Sequence, residues 1–187
     1  MEAKNKGNPV SDRSKQLMEE TLLRLMQAEN FSEISVQEIT DNAGLSRRTF
    51  YRNYETKGDI LRQRFHKIWS EYETRIRQMK DLSLPHVAFV LFTIMLPHFE
   101  FLQLVNQKHL LPLLLTEVDE LLPSVFQEVK GSQLPFATES ISYALAFSTG
   151  GFMRILPLWL ESKPLKTPKE MSLLVKDIIE ISSYHNV

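Results

Sequence analysis

Apolar residues recur at helical spacing along nearly the whole chain, and no stretch alternates as a strand would. Leu17, Thr21, Leu22, Leu25 and Met26 form a stripe on a predicted helix from Asp12 to Glu29. Arg13, Lys15, Glu19, Glu20 and Arg24 fall on its outer side. Phe31 and Ile34 tuck the next linker beneath that stripe. From Lys57 to about Lys80, Ile60, Leu61, Phe65, Ile68, Trp69, Tyr72, Ile76 and Met79 hold one apolar face opposite a strongly charged one. His86–Met95 is apolar all round and is predicted to be a central helix that Pro97 ends or kinks. Further helices are predicted over Phe99–Lys108, Pro112–Lys130, Phe136–Leu156, with Pro157 kinking its end, and Thr167–Ser183. The last begins with Thr167 as cap, Pro168 at the first helical position and Glu170 at the third. The expected fold class is all-α, with about nine helices.

The helix boundaries crowd together over Ser35–Lys57. Ser35 and Glu38 form a capping box ahead of Val36, Ile39 and Ala43. Gly44 can take the left-handed conformation that ends a helix. Ser46 caps again, with Thr49 at the third helical position, and Thr56 caps a third time, with Asp59 three residues on. Helices this short cannot stand alone. Two packed in this way make a helix-turn-helix. The second has one large apolar anchor, Phe50, and shows Arg47, Arg48, Thr49, Tyr51 and Arg52. Such a face suits the major groove of duplex DNA. A solvated basic helix in an ordinary bundle is the plainer alternative.

Charge sharpens this. The net formal charge is −1, but residues up to Lys80 hold 15 basic and 12 acidic side chains, against 7 and 11 beyond. A basic front and an acidic back imply that only the front meets a polyanion. The opening MEAKNKGNPV has no apolar core of a signal peptide and reads as a flexible arm, residues 1–10. Residues 82–99 carry no Asp, Glu, Lys or Arg. Pro85, His86, Thr93 and Pro97 break them into an apolar run of about ten, where a bilayer span needs about 20. A buried helix and no membrane partner are expected. Cysteine is absent, which excludes disulfides and thiolate metal sites and fits a cytoplasmic protein. The histidines 66, 86, 98, 109 and 185 lack metal-ligand spacing, and no phosphate loop or nucleophile motif occurs. No metal, no cofactor and no catalytic residue are predicted; the chain is not expected to be an enzyme.

Ser35-Val36-x-x-Ile39, Ala43-Gly44-Leu45-Ser46, Thr49-Phe50-Tyr51, Tyr54 and Lys57-x-x-Ile60-Leu61 resemble the DNA-binding domain of TetR/AcrR-type transcriptional regulators. Tyr54 stands where the family more often has Phe. The Arg47-Arg48 pair stands where a smaller or single basic residue is common. The resemblance implies a head over 11–57 and a regulatory and dimerisation domain over 58–187. It implies a homodimer on a pseudo-palindromic double-stranded operator, paired through its last two helices. DNA contacts would come from Ser35, Ser46, Arg47, Arg48, Thr49, Tyr51, Arg52, Tyr54 and Lys57. Ser35, Tyr54 and Lys57 would hold phosphates, Lys57 beside the positive end of its helix. The resemblance also implies a small apolar effector, bound among residues such as Trp69, Phe92, Met95, Phe99, Gln103, Tyr143 and Phe147. From the residues alone, such a set is more often a plain core. Tyr143, Gly150-Gly151, Trp159-Leu160-Glu161 and Thr167–Met171 resemble one C-terminal subgroup, with Pro157 as an insertion. Some members act as coactivators through a protein partner, which is the alternative to a repressor released by its effector.

Overall fold

The structure is a computed structural model and describes residues 9–114, 118 and 138–183. Among the described residues every regular element is helical: eight α-helices and one 3-10 turn. The chain divides into two compact units, Met1–Phe65 and His66–Val187.

The first unit begins with α1, Pro9–Ala28. It starts inside the stretch read as an arm, of which residues 1–8 lie outside the described residues. Met18, Leu22, Leu25 and Met26 are buried on its inner side. Then come α2, Val36–Ala43, and α3, Arg47–Asn53, which pack on α1 and on each other. Ile39 and Phe50, each 0 % exposed, are their anchors. The cap residues explain why helices of eight and seven residues form here at all. Ser35 Oγ accepts the Glu38 N–H at 3.0 Å, and the Glu38 carboxylate accepts the Ser35 N–H at 3.4 Å, closing the capping box. Gly44 ends α2 at φ 66°, where a side chain would be strained. Ser46 Oγ accepts the Thr49 N–H at 3.1 Å and starts α3.

The long helix α4, Gly58–Gln78, begins in the first unit, where Ile60, Leu61 and Phe65 are buried. Asp59 holds its entry by accepting the N–H groups of Thr56 at 2.7 Å and Glu55 at 3.0 Å. Glu19 corrects the reading of α1. Its expected place is the outer side, but it is 7 % exposed and paired with Arg64 of α4. That pair lies 45 residues apart in sequence and ties α1 to the start of α4.

In the second unit the remainder of α4 buries Ile68, Trp69, Tyr72 and Ile76. There follow α5 (Leu84–Met95), the 3-10 turn Leu96–His98, α6 (Phe99–Gln107), α7 (Thr138–Glu161) and α8 (Pro168–Ser183). Most of the helix expected over Pro112–Lys130 lies outside the described residues. The expected all-round burial of α5 is not seen. Ala88, Leu91, Phe92 and Met95 face the core, whereas Phe89 is 41 % exposed. A one-sided helix suffices because α5 packs along α8, where the Ser172 hydroxyl donates to the Pro85 carbonyl at 2.7 Å. The run Leu84–Gln107 is long and apolar enough to cross a membrane by length and composition alone. The 3-10 turn at Pro97 divides it, and its first half contributes to the core. The second correction is Pro157, which lies inside α7 without ending it. Leu156, Trp159 and Leu160 around it are buried, and that packing offsets the backbone bond proline removes. Trp159 is the hub: Phe92 and Phe99 sit 5.1 and 5.9 Å from it, and its indole N–H donates to the Lys166 carbonyl at 2.8 Å.

Candidate nucleic-acid interface

Burial of Phe50 turns the rest of α3 outward. Arg47, Arg48, Tyr51 and Arg52 are exposed, and Thr49 is half-buried. Arg47 lies against Tyr51 one turn on, its guanidinium carbon 5.9 Å from the ring centroid. Tyr51 in turn meets Phe50 edge-on at 5.3 Å. Among the described residues Arg48 and Arg52 form no ion pair or hydrogen bond. No acid lies in the first turn of α3. The hydroxyls of Ser46 and Thr49 are 2.9 Å apart, and one donates to the other. On the opposite flank, Asn53 accepts from the Ser11 hydroxyl of α1 at 2.7 Å and donates to the Thr49 carbonyl at 2.7 Å. The head therefore assembles one exposed, donor-rich surface from Arg47, Arg48, Tyr51 and Arg52.

Four other predicted contacts stand elsewhere. Ser35 and Ser46 act as caps. Tyr54 caps the C-terminal end of α3, is 6 % exposed, and donates its hydroxyl to Gln63 at 2.6 Å. Burial, then the carboxylates of Glu19 and Asp59, push its phenol up, so it stays neutral. Lys57 points back into the connector between α1 and α2. Its ammonium donates to the carbonyls of Phe31, Ile34 and Ser32, the last at 3.1 Å, and lies 4.7 Å from the Phe31 ring. Burial pushes its pKa below the ordinary lysine range, with Glu38 acting the other way. These two side chains and the Glu19–Arg64 pair brace the surface from behind. Sequence reasoning missed that bracing, since a backbone carbonyl leaves no mark in a residue pattern.

The residues expected around an effector fall into an inner and an outer set. Phe92 and Met95 are core, Phe99 packs on Trp159, and Trp69 donates its indole N–H to Glu73 at 2.8 Å. Gln103 is half-buried, while Tyr143 and Phe147 are 72 % and 83 % exposed on α7. None of them lines the shallow polar groove formed by Ser70, Glu71, Thr74, Arg75, Gln78 and Ile94.

Comparison with known proteins agrees with this geometry. Residues 20–63 match the model of the bacterial regulatory proteins of the tetR family. No curated protein sequence matches. Among solved structures, the chain is similar to Lin0861 from Listeria innocua at TM-score 0.73 and 12 % identity, covering 98 % of this chain and 97 % of that one. A TetR transcriptional regulator from Streptococcus agalactiae follows at 0.58 and 18 %, covering 91 % and 95 %. The dihydroxyacetone kinase operon activator DhaS stands at 0.55 and 16 %, covering 90 % and 95 %. The head thus matches the tetR family of bacterial regulatory proteins, and the fold is shared with these structures along nearly the whole chain.

Proposed function

We propose that the chain is a TetR/AcrR-type transcriptional regulator that works in the cytoplasm as a homodimer on a pseudo-palindromic operator, as a repressor released by a small apolar effector. The observation that carries the DNA reading is α3 itself: Phe50 fully buried, and three arginines turned to solvent with no acid beside them in the first turn. Arg47, Arg48, Thr49, Tyr51 and Arg52 meet the groove and its edges. Ser35 and Ser46 hold the helices that carry them, and Tyr54 and Lys57 serve from within.

The dimer reading draws on the last two helices. Leu158 of α7 is 68 % exposed, and Leu173, Ile178 and Ile181 of α8 are 53 %, 47 % and 60 % exposed. With Tyr143 and Phe147 of α7, both helices thus carry exposed large apolar residues of the kind that mark an interface. Gly150 and Gly151 lie within α7, each with nothing within 4 Å of where a Cβ would stand. A helical glycine costs about 1 kcal/mol relative to alanine. Among the described residues nothing stands beside these glycines, and close approach of a second α7 would use the room they leave. A twofold dimer also fits reading of dyad-symmetric DNA. The effector has its candidate surroundings in Trp69, Phe92, Met95, Phe99 and Gln103, in the unit that holds most of α4. A coupling of about 1–3 kcal/mol would change operator affinity about 5–150-fold.

Selection of bound duplexes from a randomised pool, followed by sedimentation of the complex, tests the proposal. It requires an enriched inverted repeat and two chains per half-site pair. Enrichment of no sequence, or a monomer on a single half-site, contradicts it.

A further inference from the structure

The direction of the arginines on α3 narrows the operator's chemistry. At about 100° per residue, and taking the buried Phe50 as zero, Arg48 and Arg52 fall at about 160° and 200°. They are the two side chains opposite the core. Arg47 and Tyr51 fall at about 60° and 100°, on one flank, and lean on each other. Asn53 is turned to the other flank and tied to Ser11 and Thr49. The surface most directly outward is thus made of two guanidinium groups without a partner among the described residues.

Guanidinium offers donors and no acceptor. In the major groove adenine asks for a donor and an acceptor together, and cytosine asks for an acceptor. Guanine alone presents two acceptors, O6 and N7, in the fork spacing that arginine matches. The side chains that read adenine or cytosine, an outward Asn, Gln, Asp or Glu, are missing from this face of α3. Resting on the DNA reading proposed above, we infer that Arg48 and Arg52 are the specificity-determining residues and that each reads a guanine. Four residues of helix rise about 6 Å. A base step rises about 3.4 Å. The two guanines therefore lie within about two base pairs of each other in each half-site. Arg47, held aside by Tyr51, meets the flanking backbone.

The test uses the full chain and the same randomised selection, repeated with Arg48→Ala, Arg52→Ala and Arg48→Lys. All three variants change exposed positions, so helix content and Tm should not change. The wild type is expected to enrich half-sites with two guanines no more than about two base pairs apart. Arg48→Ala should lose preference at one of them and Arg52→Ala at the other, each by about 5–150-fold against the wrong base. Arg48→Lys keeps the charge but not the fork, so it should keep the salt slope and lose the preference. Replacing the guanine whose preference Arg48→Ala loses by 7-deazaguanine should weaken the wild type and leave Arg48→Ala unaffected. An enriched repeat without guanine overturns the inference while leaving the DNA reading intact. So does an Arg48→Ala variant that weakens all duplexes in the same proportion. A wild type that enriches nothing fails the DNA reading itself.

Discussion

The helices α3 and α8 are both started by a hydroxyl cap, yet they turn opposite chemistry to solvent. The seven residues of α3 hide Phe50 and show three arginines. The 16 residues of α8 hide Met171 and Val175 and show Leu173, Leu174, Ile178, Ile179 and Ile181. A charged face is at ease in water and gains only when it meets opposite charge. An exposed leucine or isoleucine gains about 1.5–3 kcal/mol when fully buried. The face of α3 thus suits a polyanion, and the face of α8 suits an apolar surface such as the second copy proposed above. What each helix leaves exposed is the better guide to its partner than what it buries.

The strongest way to break this contrast is to remove the anchor of α3. Phe50→Ala should cost about 3–5 kcal/mol, enough to melt the head. Limited proteolysis should then cut within 36–53 before it cuts α8, and operator binding should vanish. At the other end, Gly150→Ala with Gly151→Ala should stabilise the isolated protomer by up to about 1 kcal/mol at each position. The same change should weaken self-association, because each methyl group would stand between two crossing helices, an overpacking worth about 1–3 kcal/mol. Sedimentation equilibrium against Tm separates the two signs. A dimer of unchanged strength would remove α7 from the interface.

Lys57→Met should lower head stability by about 1–3 kcal/mol, since three carbonyls lose their donor. Its operator-binding salt slope should stay at the wild-type value. A slope shallower by about 0.9 would mean instead that the ammonium leaves its carbonyls for a phosphate. The smallest effect concerns acid. Burial opposes ionisation of Asp59, but hydrogen bonds from Thr56 and Arg62 hold its pKa below the usual carboxylate value of 3.8. Hydrogen bonds from the Thr167 side chain and backbone lower Glu170 below 4.5. A depressed folded-state pKa adds stability that is present above the unfolded value and lost as pH falls through the folded one. Tm should therefore decline as pH drops from about 5 through these lowered values, and Asp59→Asn with Glu170→Gln should flatten the decline.

Much of the head was legible from order alone. Ser35 with Glu38, Gly44, and Ser46 with Thr49 are local devices whose partners lie within a few residues, so the sequence displays both halves, as it does for Thr167 with Glu170 in the second unit. What escaped has distant or unmarked partners. Glu19 looks like a surface acid until Arg64 arrives 45 residues later. Lys57 looks like a phosphate contact because the carbonyls of Phe31, Ser32 and Ile34 belong to the backbone. Pro157 looks like a stop, and only Trp159 and Leu160, buried just beyond it, show why α7 continues. In the second unit, composition could not tell core from surface: Phe92 is fully buried and Phe147 is 83 % exposed, although both are phenylalanines on apolar helices.

The most direct test replaces Arg47, Arg48 and Arg52 together by alanine and titrates the selected operator at several salt concentrations beside the wild type. With the helix content and self-association of the protein unchanged, affinity should fall at least about a hundredfold. The dependence on salt should also become shallower, by about 0.9 for each phosphate that the variant leaves unneutralised. Equal affinity and an equal slope in the two proteins would show that α3 does not enter the groove.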